Sequence, residues 1–154
     1  MKKIKWLWSI AIAMGIVLLY ASLSAYFVKI DDWYAQLVLP KIAASGQLMT
    51  IGWSLAYILE IAIIARLVYY REHAKIILPI DILGIFNIIW CMAFFAFKSP
   101  LAGFIILIAQ CVITVAIFIM LLRRDAISMI LSQPLIAWYA YLAAVTYFIY
   151  VANM

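Results

Sequence analysis

Apolar positions in this chain run on in long stretches instead of alternating with polar ones, and charges and turn formers divide them into five. The stretches cover about residues 4–28, 46–70, 76–97, 101–122 and 128–152. Each supplies the roughly 20 mostly apolar residues that a helix needs to cross a bilayer. Transmembrane strands alternate apolar and polar side chains, and runs such as Phe104-Ile105-Ile106-Leu107 do not. Lys2, Lys3 and Lys5 before the first stretch would suit a signal peptide. Its apolar run exceeds the usual h-region of about 7–15 residues, however, and no clear A-x-A site follows, so it reads as a retained helix. The pattern predicts a single all-α integral membrane domain over residues 1–154. Its five transmembrane helices are joined by short loops, apart from a long first loop at residues 29–45.

Composition strengthens this reading. Of 154 residues, 71% are apolar and 11% charged, against about 45–50% and about 25% in soluble domains. Mean hydropathy is +1.21. A chain this short has too little interior to hide so much apolar surface from water. An ordinary soluble enzyme and a disordered tail are excluded. The net charge of +5 includes no basic run longer than two residues, so nucleic acid is not an expected partner. With five crossings, the N-terminus shares a side with the second and fourth loops. That side holds Lys2, Lys3, Lys5, Arg66, Arg71, Lys75, Arg123 and Arg124, eight against the three of Lys29, Lys41 and Lys98. The excess puts the N-terminus in the cytoplasm and the C-terminus outside. Trp6, Trp8, Tyr26, Tyr69 and Tyr70 fall near helix ends, where amphipathic rings favour the interface.

Bundle connections usually take about 2–8 residues, and longer ordered loops are often functional. The first loop carries Asp31, Asp32, Trp33, Tyr34 and Pro40, and either lids the outer mouth of the bundle or is a slack connector. Three helices carry aromatic stripes. Trp53, Tyr57 and Glu60 share one face of the second, Asn87, Trp90 and Phe94 one face of the third, and Pro134, Trp138 and Tyr141 one face of the fifth. Such stripes suit either helix packing or a mostly apolar cavity with a few placed polar groups.

Glu60 is the costliest residue, about 16 Å along its helix from Arg71 and near mid-bilayer. An acid there is expected to be neutral, paired or facing a wet cavity, and is a candidate proton or polar site. Taken as antiparallel neighbours, the second and third helices bring Arg66 and Asp81 to matching depth, about 7 Å and about 9 Å from their cytoplasmic ends. A structural ion pair between them is expected. His73 is the only histidine, so no histidine cluster can hold zinc or haem iron, and no metal site is expected. Cys91 and Cys111 stand in mid-helix without metal spacing and read as buried apolar residues. Gln110 and Thr114 suit bonds between helices. No phosphate loop or GxSxG pattern occurs.

Together the stripes and the loop resemble the TspO/MBR family, the tryptophan-rich sensory proteins related to the translocator protein (peripheral benzodiazepine receptor). The family's loop pattern, W-Y-x-x-L-x-x-P with a tryptophan thirteen residues on and a tyrosine four further, is matched by Trp33, Tyr34, Leu37, Pro40, Trp53 and Tyr57. Its third-helix N-x-x-W-x-x-x-F-F is matched by Asn87, Trp90, Phe94 and Phe95, and its last-helix block by Pro134 to Trp138, with Asn153 near the end. The resemblance runs from about residue 26 to the C-terminus. Several departures fall on positions where a cavity is expected. Two prolines after the loop are Ala44 and Ser45, which implies a looser lid, and a following tryptophan is Gln47. A glutamine is Leu83, an asparagine is Thr146, and Glu60 stands where glycine is usual. Tyr147 and Tyr150 have no basic residue after them, so the weak sterol consensus is missing.

The resemblance implies a five-helix bundle, often a homodimer, with a cavity under the first loop that takes porphyrins and other flat aromatic molecules. It requires no cofactor, and porphyrin would be a ligand. Trp53 and Trp138 would stack on it, since indole faces suit a flat π-system. Tyr57, Asn87, Trp90 and Phe94 would line the site, and Trp33, Tyr34 and Pro40 would close it. The resulting expectation is a binding protein for porphyrins in the bacterial cytoplasmic membrane. Two alternatives stand beside it. One is a light-dependent porphyrin-degrading enzyme with Trp53 and Trp138 as catalytic residues. The other is a transporter of hydrophobic ligands with Glu60 in its pathway.

Overall fold

A computed structural model describes residues 2–70 and 74–154. It contains α1 (Lys2–Phe27), α2 (Asp32–Gln36), α3 (Gly46–Tyr69), α4 (Ala74–Cys91), α5 (Pro100–Leu121) and α6 (Ala126–Ala152), with a π-helical turn, Met92–Ala96, continuing α4. The described residues contain no strand. Five helices are long and apolar enough to cross a membrane, α4 together with its π-helical turn among them. The extra element, α2, is a short helix inside the first loop. Arg71, counted above on the side of the second loop, and His73, the single histidine, lie outside the described residues.

Local chemistry sets the helix starts. The Ser45 hydroxyl accepts from the Leu48 N–H at the start of α3, and that of Ser99 from the Ala102 N–H at the start of α5. Pro100 opens α5, where a missing N–H leaves no bond unmade. Pro79 and Pro134 stand inside α4 and α6, as membrane helices tolerate. The outer surface stays apolar, with Leu7, Leu19, Ile51, Val112 and Ile119 exposed. A water-facing surface would not be built this way, whereas lipid favours it.

Helix contacts close into a ring, in the order α1, α4, α5, α6, α3 and back to α1. Consecutive α3 and α4 touch little, because α1 packs against both. That order corrects the expected ion pair. Arg66 does not meet Asp81. α3 has α6 as its neighbour, and Arg66 grips Asp125 at the start of α6 with two bonds, Nε to Oδ2 at 2.9 Å and Nη2 to Oδ1 at 2.8 Å. The Ser128 hydroxyl also donates to Asp125 at 2.5 Å, and the Arg66 guanidinium lies 5.5 Å from the centre of the Tyr70 ring. The guanidinium holds the Asp125 carboxyl down at about 2. Asp81 keeps a buried Oδ1 with no protein partner.

Where α1 crosses α4, Gly84 makes room for Tyr20. A Cβ at Gly84 would sit 2.5 Å from the Tyr20 ring. α4 continues through Gly84 without a break, so this glycine serves close approach.

Candidate ligand-binding site

The first loop is fastened along its length. The Asp31 carboxylate accepts from the Tyr34 N–H at 3.2 Å, capping α2, and meets Lys98 Nζ at 2.8 Å. Lys98 and that N–H hold the Asp31 carboxyl below its usual range. Lys98 adopts φ 54°, in the left-handed region that is uncommon for a side-chain-bearing residue. Its ammonium lies 5.9 Å from the centre of the Trp33 ring. Asn153 pairs both ways with Val38, accepting from its N–H at 2.9 Å and donating to its carbonyl at 3.1 Å. The Tyr141 hydroxyl accepts from the Ala44 N–H at 2.8 Å and donates to the Ile42 carbonyl at 2.9 Å. Pro40 contributes through its backbone, its carbonyl accepting from the Ala43 N–H. These bonds oppose the looseness that Ala44 and Ser45 imply.

Beneath the loop the three stripes meet. Trp53 is the hub, with ring centroids 5.6 Å from Tyr57, 5.7 Å from Trp90 and 5.8 Å from Trp138. Trp90 stacks on Phe94 at 5.9 Å, and Phe94 meets Trp33 of the loop at 5.8 Å. Tyr34 lies 5.8 Å from Phe95. Asn87 Nδ2 donates to the Tyr57 hydroxyl at 3.0 Å. The set therefore includes Trp33, Trp53, Tyr57, Asn87, Trp90, Phe94 and Trp138, drawn from the loop and three helices. Three buried polar atoms within it have no protein partner: Trp90 Nε1, Trp138 Nε1 and Asn87 Oδ1. Such groups are costly when left unpaired, and a ligand with polar ring atoms could pair with them.

Open space lies to one side of these rings. A groove of about 430 Å³ runs between α3 and α6, walled by Leu48, Gly52, Leu55, Pro134, Trp138 and Tyr141. That volume falls within the range of small-molecule sites, about 300–1,000 Å³. Trp138 divides it from the cluster, standing at 87° to Trp53. A Cβ on Gly52 would be 2.1 Å from the Trp138 ring. Only bare backbone allows the indole to lie there, and sequence reasoning did not single out Gly52. Under the loop the rings of Trp33, Trp53, Trp90 and Phe94 pack on one another, and the groove beside them opens sideways, with Ala44 at the end of the loop in its wall. Leu48 and Leu55 on its rim are exposed on the outer surface of the bundle, so entry from lipid is geometrically open.

Glu60 lies behind the hub and is 2% exposed. It is paired. One oxygen accepts from the Tyr139 hydroxyl at 3.0 Å and the other from the Tyr20 hydroxyl. Neither tyrosine was singled out in the sequence. The available signal was their position, since a mid-span tyrosine in a bundle needs an acceptor for its hydroxyl. Among the described residues no three His, Cys, Asp or Glu side chains are grouped so as to hold a metal ion.

The family model for TspO/MBR matches residues 9–151. The chain belongs to the TspO/MBR family. No curated protein matches the sequence. Membership and the five apolar helices make it an integral membrane protein. They support a ligand-binding or transport role in the membrane. The TspO/MBR match takes in all three aromatic blocks and most of α1, which the motif resemblance did not reach.

Proposed function

We propose that this TspO/MBR protein binds flat hydrophobic molecules, porphyrins first among them, between α3 and α6. The observation that carries the reading is the convergence of Trp53, Tyr57, Trp90, Phe94 and Trp138 beside an apolar groove, with two indole N–H groups and the Asn87 carbonyl free to bond. Trp138, which already forms a groove wall, meets the ligand first. A swing of its indole would extend the groove to Trp53. No cofactor is needed. In this reading the protein is a homodimer in a bacterial cytoplasmic membrane, with the N-terminus inside.

The test is a protoporphyrin IX titration of the detergent-solubilised protein, followed by tryptophan quenching. Saturable quenching that weakens at least tenfold in Trp53→Phe/Trp138→Phe is the expected result. Unchanged affinity in that double variant would refute the site. A second reading, light-driven porphyrin breakdown, is favoured by the direct contact of Trp53 with Trp138 and Trp90, which would spread an oxidising charge over several indoles. It requires loss of the porphyrin band beyond one equivalent under light.

A further inference from the structure

Binding and ring packing leave Glu60 and its tyrosines unexplained. A carboxylate in the middle of a membrane bundle is expensive, and helix packing alone does not call for one. What distinguishes the group is its contact with the hub. Tyr139 touches Trp53, with ring centroids 6.3 Å apart at 73°. Tyr139 is also 1% exposed, and its hydroxyl points at Glu60 Oε1.

We propose that Trp53, Tyr139 and Glu60 form a proton-coupled electron relay, in which oxidised Trp53 is repaired by Tyr139 while the phenolic proton passes to Glu60. The starting oxidant is a photoexcited aromatic ligand, so in the membrane the relay rests on the binding reading above. The ligand takes one electron from Trp53 and hands it to dioxygen, which becomes superoxide. Trp53 is left as an indole radical cation. Tyr139 then loses one electron to Trp53 and one proton to the Glu60 carboxylate. The products are neutral Trp53, a neutral tyrosyl radical and a neutral carboxylic acid. No other co-reactant is needed. A cation and an anion are converted into two uncharged groups, a change that a low-dielectric interior favours.

Geometry selects Tyr139 over the other candidates. Removing an electron from a phenol without its proton leaves a strongly acidic cation, so the donor needs a base on its hydroxyl. The Tyr57 ring is nearer to Trp53, but its hydroxyl faces the Asn87 amide, which is not a base. Tyr141 touches Trp138, and its hydroxyl donates to a backbone carbonyl. Tyr20 shares Glu60, but its ring contact is with Tyr57. Tyr139 has both the indole and the carboxylate. Tyr20, on the second oxygen, fixes the carboxylate orientation and acts as a positioning residue. The relay would move oxidising charge from a ring that meets the ligand to one sealed from oxygen and water.

The test needs no porphyrin. Ultraviolet flash photolysis of the ligand-free protein in detergent ejects electrons from indoles directly. The expected record is decay of the tryptophanyl radical band with matched growth of the tyrosyl band, slowed at least twofold in deuterium oxide. Trp6 beside Tyr69 and Trp138 beside Tyr141 supply a background that these variants leave in place. Above it, growth should be lost equally in Trp53→Phe and in Tyr139→Phe, and slowed at least tenfold in Glu60→Gln, whose amide is not a base. Tyrosyl growth in Tyr139→Phe equal to that of the unaltered protein, or an unchanged rate in Glu60→Gln, would overturn the relay. Should Tyr139→Phe fail to fold, the isotope effect and Trp53→Phe decide the matter, and absence of either effect refutes the proposal. Failure of the porphyrin titration alone would remove the natural oxidant and leave this result standing.

Discussion

Two ionisable residues of α3, Glu60 and Arg66, both have partners on the α6 side, and the bundle settles them in opposite ways. Arg66 lies in the last turn of the helix and meets a full countercharge, Asp125, in a two-bond fork, with both side chains partly open at 17% and 12% exposure. Glu60 lies deeper, is 2% exposed, and meets two neutral phenols. Depth explains the difference. Near the membrane edge water and counterions soften the desolvation of a pair, so a guanidinium–carboxylate fork holds at modest cost. In the interior a second full charge would have to be desolvated too. Hydroxyl donors satisfy a carboxylate without adding one.

The largest effect should come from leaving one charge of the outer pair alone. Arg66→Met strands Asp125 and its hydrogen-bonded Ser128. We expect a loss of about 3 kcal/mol, the low end for a broken buried pair because this one is partly exposed. Asp125→Asn should cost less, and the double variant less than the two singles summed, since they share one interaction. Additive losses in thermal unfolding would show that the fork is incidental.

Glu60→Leu should cost about 2 kcal/mol, because two buried phenols lose their acceptor. Glu60→Gln retains an oxygen and should cost about 1 kcal/mol. Equal effects would mean that volume at this site matters more than hydrogen bonding.

Acid should separate the two sites as well. The Asp125 carboxyl is held at about 2, below its usual 3.8. A depressed acid stabilises fully above its unfolded value and loses that contribution as pH falls through the folded one. Stability should therefore drop by about 2 kcal/mol between about pH 4 and pH 2. Asp125→Asn should flatten this part of the pH profile, and an unchanged slope would remove the fork as its source.

How much of this was legible in the sequence follows from lipid as a solvent. Span number and helix limits could be read because length and apolar content set them. The short α2 was missed, although Asp31 is a capping residue, because five residues give too little period to see. Helix rotation was hidden. In water the polar face of a helix marks its outside, but these helices are apolar all round, and that signal vanishes. Arg66 was therefore matched by depth to Asp81, when the ring order gives it Asp125. The aromatic residues were legible as stripes, and their meeting at Trp53 follows from that ring order. Trp138 as a partition was not legible, because it depends on a contact with backbone at Gly52.

Gly52 gives an expected effect no larger than that of Glu60→Gln and extends the α3–α6 comparison to the loop end of the seam. There α3 meets α6 through neither charge nor hydroxyl but through missing atoms. A Cβ would stand 2.1, 2.4 and 2.8 Å from three carbons of the Trp138 ring. The indole must then move, and the neighbouring groove gives it somewhere to go, so Gly52→Ala should cost only about 1 kcal/mol, the low end for overpacking. Its signature should be local. The near-ultraviolet circular dichroism of the Trp53–Trp138 pair should change, and porphyrin affinity should fall as the ring occupies the groove. Arg66→Met, at the far end of the same seam, should lower stability more while leaving that aromatic signal in place. An unchanged aromatic spectrum in Gly52→Ala would show that Trp138 does not rest on α3, and the groove would then have to be bounded by another side chain.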